Sequence, residues 1–144
     1  MSDDAEGVRH VVEEYVRRVW NEHDAAAVAD FAPDITEMGG SGEPVRQVAR
    51  EELVARVATV LSLIPDHRLA VGKVVTDGEH VVWEWRLTGT FHSERGSHPV
   101  DVSGLTYWQV RGGLIINRGG IMDMVTWAWQ IGIMEKRIRL LMPV

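Results

Sequence analysis

The chain has 144 residues, 45% of them hydrophobic and 25% charged, and this composition predicts one globular domain over residues 1–144 with a buried core. Its formal net charge is −6 at pH 7 and its lysine and arginine residues are scattered, which argues against nucleic acid or an anionic membrane as a partner. The absence of cysteine excludes disulfides and thiolate chemistry, and the acidic start MSDDAEG with no apolar run of ~20 residues predicts a cytoplasmic protein without a signal peptide or membrane helix.

Two helices are predicted at the start of the chain. The first ends near Asn21, and its apolar stripe consists of Val8, Val11, Val12, Tyr15, Val16 and Val19. Asp24 suits the N-cap of a short second helix that runs through Phe31. Pro33 ends that helix before a brief strand over residues 35–38.

A glycine-rich stretch, GGSG at 39–42, follows this strand and precedes a predicted third helix. The stretch lacks the lysine and hydroxyl residue of a phosphate-binding loop, so we interpret it as a hinge. The helix is expected to begin near Pro44 and to end before Pro65. Its apolar face contains Leu53, Val57, Val60, Leu61 and Ile64.

The period of the apolar residues then changes to two, which predicts four strands over 68–76, 80–92, 100–111 and 114–122. The short turns TDGE and RGG indicate antiparallel hairpins. One face of the second of these strands carries Val81, Trp83, Trp85 and Leu87, and the other face carries Glu84, Arg86 and Thr88. We expect the three helices to cover the apolar side, which gives an α+β domain with a curved antiparallel sheet wrapped around them.

Four strings, in this order of elements, resemble the SnoaL-like polyketide cyclase family, which has the nuclear transport factor 2-like or ketosteroid isomerase-like cone fold. They are VWNEHDAAAVADFAPD, IPDHRL, DGEHVVWEWRLTGTFH and WQIG, and the resemblance spans roughly residues 8 to 132. It implies an α+β barrel with an internal hydrophobic cavity. It also implies a hydrophobic polyketide or polycyclic small molecule as substrate.

The resemblance breaks at the residues that the family uses for aldol-type cyclisation. The family places a histidine on the penultimate strand and an aspartate on the last, and these positions fall on Trp108 and Gly120. Of the isomerase pattern only the tyrosine is kept, as Tyr15, because its acid falls on Thr106 and its base near Gly39. The resemblance therefore implies a cone without the usual dyad.

Aromatic and sulfur-containing side chains are expected on the inner face. The candidates for binding a substrate are Met38, Trp83, Trp85, Thr106, Trp108, Gly120 and Met122. Each large apolar residue among them is also compatible with ordinary core packing. Six tryptophans beside two phenylalanines favour a flat, conjugated ligand, and Gly120 opposite Trp108 would leave room for it. The alternative for Gly120 is close packing against a neighbouring backbone.

Four polar residues are candidates for catalysis: Tyr15, Glu37, Arg118 and Asp123. Tyr15 could donate to a substrate oxygen or bond to the backbone, and Arg118 could stabilise an enolate or be a solvated charge. Glu37 faces inward as a proton-transfer group or lies at an exposed strand edge. Asp123 either lies at the cavity mouth or caps a short helix that begins in MVTWAWQIG.

No cofactor or metal is expected, since His92 and His98 lack a third ligand at suitable spacing. Three function classes remain open: a ring-forming polyketide cyclase acting by conformational restriction, a cofactor-independent hydroxylase of an aromatic polyketide, and a non-catalytic binding module. Both enzyme classes belong to antibiotic and other secondary-metabolite biosynthesis.

A homodimer is predicted through the polar sheet face, where the residues Glu84, Leu105, Arg86, Tyr107, Gln109 and Arg111 could pair across a two-fold axis. The apolar tail, residues 133–144, is expected to pack on the rim of the cone or on the partner.

Overall fold

A six-stranded sheet, with helices packed on one of its faces, makes up residues 2–40 and 43–134, the part of the chain that this computed structural model describes. In chain order the elements are α1 (Ser2–Tyr15), a π-helical turn (Val16–Asn21), a 3-10 helix (Ala25–Asp30), β1 (Ile35–Gly40), β2 (Glu43–Ala49), α2 (Arg50–Leu63), β3 (Arg68–Asp77), β4 (His80–Ser93), β5 (Gly96–Arg111), β6 (Leu114–Met122) and α3 (Met124–Gln130). The predicted α+β class is confirmed.

The sheet has the order β2-β1-β6-β5-β4-β3 and stays open at both ends. The four consecutive strands β3 to β6 are antiparallel, as predicted, whereas β1 pairs with β6 in parallel. Irregularities after Val71 in β3 and after Gln109 in β5 break the ladders, and such bulges bend a sheet. Gly112 and Gly113, both with positive φ, form the tight turn between β5 and β6.

The first helix ends in a widened turn that sets its position on the sheet. The amide of Glu22 donates to the carbonyl of Arg17 at 2.9 Å, and the amide of Asp24 donates to that of Val19 at 3.1 Å, both five residues back. The side-chain amide of Asn21 then bonds to both backbone groups of Leu69, at 2.8 and 3.0 Å. This contact pins the end of the helix to β3.

The 3-10 helix agrees with the predicted second helix, whereas α2, the predicted third helix, differs at its start. Asp24 caps the 3-10 helix by accepting from the amide of Ala27 at 3.3 Å. The expected helix start near Pro44 is wrong, because residues 43–49 form β2 and the helix begins at Arg50. β2 lies at the edge of the sheet, where Val48 is fully buried and residues 44–47 are exposed. The sequence of this strand therefore shows almost no alternation of apolar and polar residues.

The helices cover the apolar side of the sheet, as expected. The sheet contributes Val81, Trp83, Leu87, Val100, Val102, Trp108 and Val110 to the core. Glu84 and Arg86 lie on the opposite, exposed face. No helix within residues 2–40 and 43–134 is long and apolar enough to cross a membrane. Of the tail, Ile133 is exposed, and residues 135–144, with their predicted packing, lie outside the described residues.

Candidate functional site

A cavity of about 530 Å³ lies between the helices and the apolar face of the sheet. Tyr15 and Trp20 border it from the first helix and its widened turn, Val60 borders it from α2, and Ile64 borders it from the position directly after α2. The structure places all seven predicted binding residues on its wall, namely Met38, Trp83, Trp85, Thr106, Trp108, Gly120 and Met122. Their role in binding a substrate stays a prediction.

Five of the six tryptophans line this cavity: Trp20, Trp83, Trp85, Trp108 and Trp127. The ring of Trp108 meets those of Tyr15 and Trp83 edge to face, with centroids 4.9 and 5.1 Å apart. The indole nitrogen of Trp85 donates to the hydroxyl of Thr106 at 2.9 Å. Edge-to-face contacts hold each ring at a defined angle, so the wall is rigid as well as apolar.

Arg118 reaches this wall from β6, where it pairs in register with Trp108. Its side chain is buried, with the residue only 9% exposed, so the expected alternative of a solvated charge is wrong. Its Nη1 donates to the hydroxyl of Tyr15 at 3.1 Å, and its guanidinium carbon lies 5.2 Å from the Tyr15 ring centre and 5.6 Å from that of Trp108. The Tyr15 hydroxyl therefore meets a side chain rather than the backbone.

Two residues of the cavity wall, Arg118 and Trp83, have hydrogen-bond donors that the described part of the protein leaves unused. Nε and Nη2 of Arg118 and Nε1 of Trp83 are buried without a hydrogen-bond partner in the described part of the chain. No aspartate or glutamate is among the described residues that line the cavity. A buried donor without a partner lowers the stability of the fold, so this site favours a ligand that has hydrogen-bond acceptors.

Glu37 lies outside the cavity, and its predicted inward orientation is wrong. β1 pairs with β6 so that Met38 is opposite Arg118 and shares its inner face. Because successive residues of a strand point to opposite sides, Glu37 then faces solvent, where it accepts from the side-chain amide of Asn117 at 3.3 Å. An exposed carboxylate on that side has no access to a substrate in the cavity.

Asp123 caps α3, as one of its two interpretations predicted. Its Oδ1 accepts from the amide of Thr126 at 2.9 Å, and the Thr126 hydroxyl donates to its other oxygen. It borders an outer groove, beside Glu84 and Arg86, and does not line the cavity. Its expected place at the cavity mouth is therefore wrong.

Gly120 borders the cavity, but the reason for a glycine there is close packing. A Cβ at this position would lie 2.7 Å from the carbonyl oxygen of Leu105 and 3.4 Å from the Cα of Thr106. The residue opposite Gly120 is Thr106, and Trp108 is opposite Arg118, which corrects the expected pairing of Gly120 with Trp108. The close approach to the β5 backbone, not open space, excludes a side chain at this position.

His67 is a cavity residue that the sequence analysis did not single out. It follows α2 in the string IPDHRL, is 1% exposed, and stacks on Trp20 with ring centres 4.9 Å apart. Burial is the main cause that lowers its pKa to about 4, and the nearby His23 adds to the effect. Its Nδ1 has no hydrogen-bond partner among the described residues, so a neutral imidazole borders the cavity. The only signal for His67 in the sequence was a polar residue shortly after the apolar face of the predicted third helix.

The fold is shared with solved structures that differ widely in sequence. A provisionally assigned SnoaL-like polyketide cyclase from Jannaschia sp. CCS1 is 19% identical with a TM-score of 0.76, over 88% of this chain and 92% of that chain. A phenazine biosynthesis-related protein from Pseudomonas aeruginosa is 15% identical with a TM-score of 0.77, over 93% and 86%. AclR, a provisionally assigned hydroxylase from Streptomyces galilaeus, is 17% identical with a TM-score of 0.74, over 93% and 88%.

These identities establish the cone fold and leave the reaction open. No curated protein sequence matches the chain significantly. The family model of the SnoaL-like domain matches residues 12–118, which include the end of α1, all of β1 to β5 and most of the cavity wall. The chain therefore belongs to the SnoaL-like domain family.

Proposed function

We propose that this protein is a polyketide-tailoring enzyme of secondary-metabolite biosynthesis that closes a ring in a substrate held inside the cavity. The observation that carries the proposal is the combination of an aromatic wall with unused buried donors and no lining carboxylate among the described residues. A polyketide chain has the matching chemistry, because it is apolar between regularly spaced carbonyl acceptors. Neighbours in fold that carry provisional cyclase names support this class.

Conformational restriction is the main source of rate enhancement in this proposal. A flexible chain that is held folded, with its reacting carbons in contact, can gain about 7–11 kcal/mol over the free chain. Trp20, Trp85 and Trp127, which are only partly buried, supply aromatic surface on which such a chain can lie. Arg118 and Tyr15 orient one of its oxygens and stabilise the negative charge that develops there when the adjacent carbon loses a proton.

His67 is the proposed proton acceptor in the absence of the family dyad. Among the described residues that line the cavity, its imidazole is the one side chain that is both neutral near pH 7 and able to accept a proton. The proton moves from the carbon beside the polarised carbonyl to the imidazole, and the resulting carbanion attacks a second carbonyl carbon, whose oxygen then takes the proton back from the imidazolium. Because the lowered pKa makes His67 a weak base, the reaction requires the most acidic carbon of the chain, one flanked by two carbonyls.

Hydroxylation of an aromatic polyketide is the second candidate function. The flat walls formed by five tryptophans favour a substrate that is already aromatic, and AclR carries a provisional hydroxylase name. In this reaction the cavity presents an electron-rich ring to dioxygen, and a separate reductase supplies the electrons. No residue is expected to hold a cofactor.

The two reactions leave different mass changes, so one experiment separates them. Purified protein is incubated with linear poly-β-ketone thioester analogues and, separately, with hydroxylated anthraquinones, dioxygen and a two-electron reductant, and the products are analysed by mass spectrometry. Ring closure with aromatisation removes water, whereas hydroxylation adds one oxygen atom. Tight binding in the cavity without turnover of either panel would instead indicate a non-catalytic binding module.

We also propose that the protein acts as a homodimer through the exposed sheet face. This face carries the apolar residues Val82, Leu105 and Ile121, the last of which is 58% exposed. Arg86 of β4 forms an ion pair with Asp101 of β5, and Arg111 at the end of β5 forms one with Glu79 in the turn before β4. An apolar centre with polar residues around it is typical of a dimer interface.

A further inference from the structure

We propose that the natural ligand enters the cavity as an anion, with an ionised oxygen paired to Arg118. The ligand class is a planar hydrophobic acid: a carboxylate, or an enol or phenol acidic enough to ionise. This inference rests on the proposed function only in taking the cavity as the ligand site. It specifies the charge of the substrate, which the proposed reactions do not. Where the ionised oxygen belongs to an enol, the substrate enters already carrying the charge that proton transfer to His67 would otherwise generate.

The first support is the contrast between Arg118 and the other arginines. Seven arginines in the described part of the chain form an ion pair with a carboxylate: Arg17, Arg18, Arg46, Arg50, Arg56, Arg86 and Arg111. All seven have side chains that are at least 34% exposed. Arg118 is far more buried than any of them and has no acidic partner among the described residues. Arg9, Arg68 and Arg95 also have no ion pair among the described residues, but they are exposed to water. Arg118 is thus the buried arginine that lacks a counter-charge.

The second support is the arrangement of donors around the guanidinium. Because the Tyr15 hydroxyl accepts from Nη1 of Arg118, its own hydrogen remains available for a ligand oxygen. Nε and Nη2 of Arg118 have unused hydrogens as well. An ionised oxygen accepts several such bonds at once, and charge-assisted hydrogen bonds are about twice as strong as neutral ones.

The third support is that folding has already removed water from the cation. The aromatic rings of Tyr15 and Trp108 hold the guanidinium by cation–π contacts, which offset only part of the lost hydration. When an anion binds, the desolvation of Arg118 adds no further cost, since it has already occurred on folding. The partly buried Trp20, Trp85 and Trp127 line the same cavity and offer aromatic surface to the planar body of the ligand.

The experiment compares two probes of equal shape and different charge, 2-naphthoate and 2-naphthamide. Their dissociation constants are measured by isothermal titration calorimetry with the wild type, Arg118→Gln and Arg68→Gln. Arg68 is an exposed arginine at the start of β3, so its replacement changes the net charge equally without touching the cavity. Thermal unfolding of each variant checks that the fold is retained.

The wild type should bind 2-naphthoate about tenfold to hundredfold more tightly than 2-naphthamide, the range expected for hydrogen bonds to a charged group. Arg118→Gln should abolish this preference. Arg68→Gln should retain the preference. Equal binding of the two probes by the wild type would exclude a carboxylate as the ionised group, and because this arm needs no variant, it holds even if Arg118→Gln fails to fold.

A third probe, 2-hydroxyanthraquinone, tests the other source of an ionised oxygen, which is a phenol. Its affinity is measured across the pKa of its hydroxyl and should rise as the phenol ionises. A charge preference for either probe supports the proposal and identifies the group, while none for either refutes it. Binding of 2-naphthamide in the cavity without any charge preference would leave the proposed function standing and remove only the anion, whereas failure of every probe to bind would count against both.

Discussion

The indole of Trp85 lies over Gly104, in the space that a side chain at position 104 would occupy. The two residues are directly opposite on β4 and β5. A Cβ at Gly104 would overlap the indole ring and lie 2.5 Å from the carbonyl oxygen of Ile121 on the other side. This close approach brings the Trp85 ring flat against β5, from where its nitrogen reaches Thr106.

Gly104→Ala should therefore destabilise the protein, by about 1–3 kcal/mol, because the added methyl group overpacks a site with backbone on one side. Gly7→Ala is the matched control, since a Cβ at that helical position meets nothing within 4 Å. The control should gain about 0.5–1 kcal/mol. Urea unfolding of both variants measures the difference, and an unchanged midpoint for Gly104→Ala would contradict the packing that the structure shows.

Gly120→Ala should lose stability for a related reason and should not act as a cavity filler. Its Cβ would meet the carbonyl oxygen of Leu105 at 2.7 Å, which forces β5 and β6 apart before any cavity volume is lost. We expect a cost of about 1–3 kcal/mol. Met38→Trp is the comparison, because it enlarges a partly buried side chain that already lines the cavity. It should weaken ligand binding and lower the melting temperature only a little.

Trp108→Ala should cost about 3–5 kcal/mol, since the ring is almost fully buried and packs on both Tyr15 and Trp83. It also removes one of the two rings that hold the Arg118 guanidinium. Affinity for planar probes should fall more than affinity for flexible ones of the same area. Trp108→Phe, which keeps an aromatic face, should lie between the wild type and Trp108→Ala in both measurements.

His67 should make the protein less stable in mild acid. Burial and the neighbouring His23 lower its pKa from 6.5 to about 4, so between these values the unfolded chain binds a proton that the folded chain does not. Stability contributed by the neutral imidazole is thus present above pH 6.5 and is lost as the pH falls toward 4. The groups that face the ring are Trp20, the His23 ring and the carboxylate of Asp66.

Urea unfolding of the wild type and of His67→Gln at several pH values between 4 and 7 tests this dependence. The wild type should lose more stability over the interval than the variant, whose amide does not titrate. Parallel curves for the two proteins would show that another group controls the acid response. In turnover assays, His67→Gln should lower kcat more than it changes KM if the imidazole accepts a proton.

Ile121→Glu should dissociate the proposed homodimer, because it places a charge on the largest exposed apolar residue of β6. Light scattering should give a mass near twice 16.2 kDa for the wild type and near 16.2 kDa for the variant. Val45→Glu alters an equally exposed apolar residue on the edge strand β2 and should leave the dimer intact. A monomeric wild type at micromolar concentration would refute the interface.

The sequence by itself determined which residues share a face and where two helices begin. Strict alternation placed Trp83, Trp85 and Leu87 on one side of β4, because side chains of a strand alternate whatever surrounds them. Asp24 and Asp123 were recognisable as caps for an equally local reason, since the groups they bond lie three residues away. Interactions between residues that are close in sequence can be predicted from the sequence.

Tertiary structure decided everything that depends on a neighbouring strand or helix. Alternation separates Glu37 from Met38 but does not say which of them faces inward, and the pairing of β1 with β6 settles it. The clash that requires glycine at position 120 comes from the backbone of β5, and the partner of Arg118 lies 103 residues away on α1. Such contacts join residues that are remote in sequence, so no local pattern encodes them, and the charge left unpaired in the cavity became visible only once the chain was folded.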